Sequence, residues 1–65
     1  MKDLDVVRLI KEFKGMKSGT TGVIVYEYDG TAFEVEFFDS DHNTIDVCTT
    51  PKEVLELVVS YKRGI

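Results

Sequence analysis

Few residues of this chain are equipped for chemistry: one cysteine, one histidine and twelve carboxylates. Asp39-Ser40-Asp41-His42-Asn43 matches the opening Asp-x-Asp-x-Asn of a calcium-binding loop. Thr44 stands where that loop requires glycine, however, and Thr50 where a bidentate glutamate should complete the coordination shell. The stretch therefore reads as a turn, built from residues that hydrogen-bond their own backbone or tolerate left-handed geometry. Cys48 and His42 are the only soft ligands, two against the three or four that zinc needs. As nucleophile and base they lack a third group to orient the imidazole and a partner to stabilise a thiolate. Gly15-Met16-Lys17-Ser18-Gly19 has neither the Gly-Lys-Ser/Thr order of a phosphate loop nor a helix behind it to point at an anion, so its glycines serve a turn and a bulge. Glu34 and Glu36 lie two apart on one strand face, but an open sheet offers them no substrate pocket for acid and base work. No catalytic, cofactor or metal site is assigned, and the chain is read as a non-enzyme.

The elements that position these residues must be small. Sixty-five residues form one domain, residues 1–65, and a chain of this size buries only about 60% of the surface its unfolded form exposes. A core so small leaves little room for the concave pocket of several hundred cubic ångströms that a buried active site occupies. Charge is distributed in blocks. Residues 1–17 carry five bases against three acids, residues 52–65 three bases against two, and the stretch between carries seven carboxylates and no lysine or arginine. That acidic middle disfavours a phosphate backbone as partner. The longest uncharged apolar runs are far short of the ~20 residues that span a bilayer, and the N-terminus has no apolar signal core. A single cysteine forms no internal disulfide, although a domain this small working outside the cell is usually stapled. The expected setting is the cytoplasm, away from membranes.

Asp29-Gly30 lies between two runs of β-formers, which predicts a hairpin with a two-residue type I′ loop. The register then pairs Tyr28 with Thr31, Tyr26 with Phe33, Ile24 with Val35 and Gly22 with Phe37. Glu27 pairs with Ala32, Val25 with Glu34 and Val23 with Glu36. The first set makes a core face, which removes Tyr26, Tyr28, Phe33 and Phe37 from any base-stacking role. The second makes a mixed face of valines and carboxylates that Phe38 continues. After a turn at 39–43, Thr44 to Thr49 alternates, with Ile45 and Val47 on one side and Asp46 and Cys48 on the other, completing a three-stranded meander. Thr50-Pro51-Lys52-Glu53 has a helix-start signature, with Thr50 as N-cap and Glu53 closing a capping box. The β-branched run that follows limits it to one helical turn before a closing strand. Val6, Leu9, Ile10 and Phe13 have helical spacing, and Gly15 is placed to end such a helix.

Three stretches settle that last point by resemblance: Asp5-Val6-Val7-Arg8-Leu9, Lys17-Ser18-Gly19-Thr20-Thr21-Gly22-Val23-Ile24-Val25, and Tyr28-Asp29-Gly30 running into Thr31-Ala32-Phe33-Glu34-Val35-Glu36-Phe37. Together they resemble a bacterial family of small domains of unknown function that look like SH3-type barrels. The Gly-x-x-Gly-x-Val/Ile signal is similar to the KOW motif of ribosomal and transcription factors. The resemblance implies an all-β, five-stranded SH3-like barrel whose first strand is Asp5 to Leu9, followed by a long loop through Gly15 to Gly19. Asn43 departs from the glycine the family implies at the hairpin tip, and Tyr61 to Ile65 form a longer tail. The function expected is a non-catalytic protein-interaction module, an accessory or inhibitory partner of a larger protein. It would bind a basic or mixed surface through Val23, Val25, Glu34, Glu36 and Phe38. The alternative is an RNA-contacting KOW-type module using Lys11, Lys14, Lys17, Lys62 and Arg63.

Overall fold

The computed structural model of the chain describes residues 1–60; the tail Tyr61 to Ile65, with Lys62 and Arg63, lies outside the described residues. Five antiparallel strands form one sheet: β1 (Val6–Leu9), β2 (Thr21–Glu27), β3 (Ala32–Phe38), β4 (Thr44–Pro51) and β5 (Leu55–Val59). Their order across the sheet is β4-β3-β2-β1-β5. The helical spacing at the N-terminus yields to strand period, because Val7 and Leu9 point into the core while Arg8 is exposed. Ile24 N–H donates to the Asp5 carbonyl at 3.0 Å, so pairing begins at Asp5 as expected.

The sheet is not closed, yet it is tightly curled. β4 and β5 are its two opposite edges, and only Lys52–Val54, a single 3-10 turn, separates them. Four strand spacings would put the edges of a flat sheet about 19 Å apart. The four Cα-to-Cα steps from Pro51 to Leu55 span at most about 14 Å, so the edges must approach at this end. The turn is tied on both sides: Lys52 N–H donates to the Thr31 carbonyl and Ile10 N–H to the Val54 carbonyl, each at 2.9 Å. Inside the curl lie Val7, Leu9, Ile24, Phe33, Val35, Phe37, Cys48, Val54 and Leu55. Met16 joins them from the loop between β1 and β2. There Lys14 and Gly15 both have left-handed backbone, φ +48° and +80°, and Phe13 and Met16 exchange two backbone hydrogen bonds of 2.9 Å. This is the geometry of a type I′ turn, at a different place from the one the sequence suggested.

The Asp29-Gly30 hairpin departs from expectation. Only Gly30 is left-handed there, φ +86°. Asp29 instead accepts from the Thr31 N–H (3.0 Å) and hydroxyl (2.6 Å). Tyr28 N–H reaches the Ala32 carbonyl, so the loop has three residues. The extra residue is absorbed by a bulge in β2. Gly22–Phe37, Val23–Glu36 and Ile24–Val35 pair as predicted, but Val25 has no partner, Tyr26 pairs with Glu34 and Glu27 with Phe33. Past the bulge each β2 side chain is therefore on the opposite face from the one inferred, because an inserted residue shifts a period-two pattern by one. Tyr26 and Tyr28, expected inside, are 55% and 53% exposed, while Ile24, Phe33, Val35 and Phe37 are buried as expected.

The helix-start reading also changes. The turn before β5 is capped at Pro51 with no side-chain hydrogen bond. Thr50 stays in the ladder opposite Phe33, and its buried hydroxyl donates to the Cys48 carbonyl at 3.2 Å. A strand residue facing the core satisfies its hydroxyl locally and is not free to cap.

Candidate functional site

The outer surface of the sheet carries the residues singled out above. Successive pairings Val47–Glu36, Glu36–Val23, Val23–Val6 and Val6–Val59 make one row across all five strands. Glu36 is therefore set among valines. The neighbouring row, Thr49–Glu34–Tyr26, runs beside it. Of the five predicted residues, Val23, Glu34 and Glu36 stand together, Val25 sits at the bulge, and Phe38 lies at the far end of β3 opposite Thr21. Tyr26, Tyr28 and Val47 were missed. For Val47 the alternation in β4 announced two faces without saying which is buried, and the side bearing Cys48 and Thr50 is the one turned inward.

The two carboxylates are held by hydroxyls. Glu34 Oε1 accepts from Tyr28 Oη at 3.1 Å and from Thr49 Oγ1 at 2.9 Å. Glu36 Oε2 accepts from Thr44 Oγ1 at 2.6 Å. Tyr26 and Tyr28 meet edge to face, with ring centroids 4.9 Å apart and planes at 73°. Val25, Tyr26, Tyr28, Ile45 and Val47 all remain more than 40% exposed. The segment from Ile10 to Lys17 leaves them so, for it packs Phe13 and Met16 against the core. Among the described residues Arg8 forms an ion pair with Glu56 on the same outer face, across β1 and β5, with both side chains exposed.

The remaining reactive groups stand apart. Cys48 is buried in the core, and burial pushes its thiol up from the ordinary value, away from a thiolate. His42 sits in the exposed 39–43 turn. In that turn Asp39 Oδ1 accepts from the N–H groups of Asp41 (2.8 Å) and Asn43 (2.9 Å). The Asn43 N–H foremost holds the Asp39 carboxyl below its usual range. Asp29 is lowered in the same way, chiefly by the Thr31 hydroxyl. Among the described residues no three of His, Cys, Asp and Glu come together as metal ligands. No helix among them is long and apolar enough to cross a membrane. Two open grooves lie among the described residues. One of 540 Å³ runs between Gly15–Thr21 and the base of the 39–43 turn at Phe38 and Ile45. Another of 410 Å³ lies between Met1, Gly30 and Lys52.

From ahead of β1 into β5, residues 3–57 match a family described as a domain of unknown function, DUF4926. The chain belongs to this family. No curated protein and no solved structure matches the DUF4926 chain.

Proposed function

We propose that this DUF4926 domain is a non-catalytic protein-interaction module, an accessory or inhibitory partner of a larger protein, docking through the outer sheet face around Val23, Val25, Glu34, Glu36 and Phe38. The observation that carries the proposal is the row Val47–Glu36–Val23–Val6–Val59 with the exposed tyrosines beside it. An apolar surface threaded with ordered carboxylates matches a partner that is partly apolar and basic, and the acidic block would speed the encounter. The strand order and the 3-10 turn joining opposite edges support reading the curled sheet as a partly open SH3-like barrel. A reducing, cytoplasmic setting accords with the free, buried Cys48.

The test is the Glu34→Lys, Glu36→Lys double variant. Partners recovered with the parent domain should associate more slowly with the variant and with weaker salt dependence, while its thermal midpoint changes little because both carboxylates are on the surface. Unchanged affinity for those partners would overturn the assignment of the face.

A further inference from the structure

Resting on the interaction-module reading and narrowing it, a more specific partner chemistry is written into the corner where β2 bulges. The unpaired Val25 puts Tyr26 on the outer face beside Glu34, and Tyr28 follows two residues later. Their rings stand at 73° to one another and are both more than half exposed. Glu34 spends Oε1 on the hydroxyls of Tyr28 and Thr49, and Glu36 spends Oε2 on Thr44. Among the described residues Glu34 Oε2 and Glu36 Oε1 accept no hydrogen bond, and no lysine or arginine occurs from residue 18 to residue 51 to serve them. Each carboxylate is thus oriented from one side and open on the other.

We propose that this face takes an extended, arginine-bearing segment of the partner. The guanidinium lies against the Tyr26–Tyr28 pair and donates to Glu34 Oε2. A second arginine two residues along donates to Glu36 Oε1, since alternate residues of both strands repeat at about 7 Å. Apolar residues of the same segment reach Ala32 and Phe38 at the two ends of β3, and the arginine stems lie along Val23 and Val47 on either side of Glu36. Arginine fits better than lysine because its plane stacks on an aromatic ring while its edge presents a donor fork, and because it is less strongly hydrated. A wholly apolar segment would bury both carboxylates without a countercharge. A second copy of the same face would bring like charges together, and a nucleic acid would meet seven carboxylates.

The probes are blocked heptapeptides with valine at each end, serine at the even positions and arginine at the third and fifth. Matched peptides carry lysine or citrulline instead. Titrated into the nitrogen-15-labelled domain, the arginine peptide should shift amide resonances over residues 25–28, 34–36 and 47–49. Its Kd should be at least about five-fold below that of the lysine peptide and about ten-fold below that of the citrulline peptide. Tyr26→Leu should bring the arginine peptide to the level of lysine, and Glu34→Gln should weaken it about five-fold or more. Glu56→Gln, on the other edge, should leave it unchanged. Equal arginine and lysine binding, shifts centred elsewhere, or shifts that appear with protein concentration alone would each overturn the proposal. If those results accompany loss of the native partner in the Glu34→Lys, Glu36→Lys protein, the arginine inference falls alone. If the native partner is also retained by that protein, the docking face falls with it.

Discussion

At the residue scale, the tip of the β3–β4 hairpin places a histidine where glycine is easier. Asp39 N–H donates to the Asn43 carbonyl and His42 N–H to the Asp39 carbonyl, at 2.9 and 3.0 Å, which closes a loop of three residues. His42, the third of them, has φ +65°. Left-handed backbone brings Cβ against the following carbonyl at a cost of roughly 1–2 kcal/mol, which glycine avoids while losing about half to one kcal/mol to its freer unfolded chain. His42→Gly should therefore stabilise the domain by up to about 1 kcal/mol. Asn43→Gly, at the position the family resemblance marks, should destabilise it by a similar amount, because Asn43 is not left-handed. Urea midpoints of the two variants must move in opposite directions.

At the scale of elements, β2 and β3 are held close by Gly22. A Cβ there would come within 2.7 Å of the Glu36 carbonyl oxygen and of Val35 Cγ1, and within 3.0 Å of the Phe37 ring. Two of these contacts belong to a neighbouring strand's backbone and a packed core side chain that have no room to withdraw. Gly22→Ala should cost roughly 1–3 kcal/mol, read as a lower urea midpoint with unchanged slope. A loss under about half a kcal/mol would mean that the strands separate freely there.

The same pair of strands shows how far the sequence could be read. Strand existence was legible because Phe33, Val35 and Phe37 alternate with Glu34 and Glu36 and because Ile24 sits in a β-branched run, Val23 to Val25. The pairing from Gly22 to Ile24 followed from an assumed two-residue loop and holds because the bulge at Val25 cancels the extra loop residue. The bulge was not legible, since no residue type at Val25 announces it and the Asp29-Gly30 dipeptide argued for a shorter loop. All of the docking face that depends on the bulge, Tyr26 and Tyr28 above all, was accordingly placed on the wrong side. Val23, Glu34 and Glu36 precede or oppose the bulge and were placed correctly. Thr50 misled in a similar way, because a cap signature is written in four residues while the competing ladder with Phe33 is written across the sheet.

At the scale of the whole molecule, the acidic middle block covers most of the strands that present the outer face. Repulsion from seven carboxylates should keep a 20-nucleotide single-stranded RNA bound no tighter than about 10 μM at ~0.15 M salt. Fluorescence anisotropy measures this directly. Sub-micromolar affinity would favour the basic segment at Lys11, Lys14 and Lys17 as the working surface.

The short link between the sheet's opposite edges also orders events in time. β2, β3 and β4 are consecutive hairpins whose pairings need only short loops to close. β1 pairs with β5 about fifty residues further along the chain, and neither edge can be brought round until the meander has curled. Bringing distant segments together is entropically slow. The meander therefore nucleates folding, and the β1–β5 ladder is the last to form and the first to open. The last of these strands along the chain, β5, is thus the latch, closing on a β1 that β2 already holds.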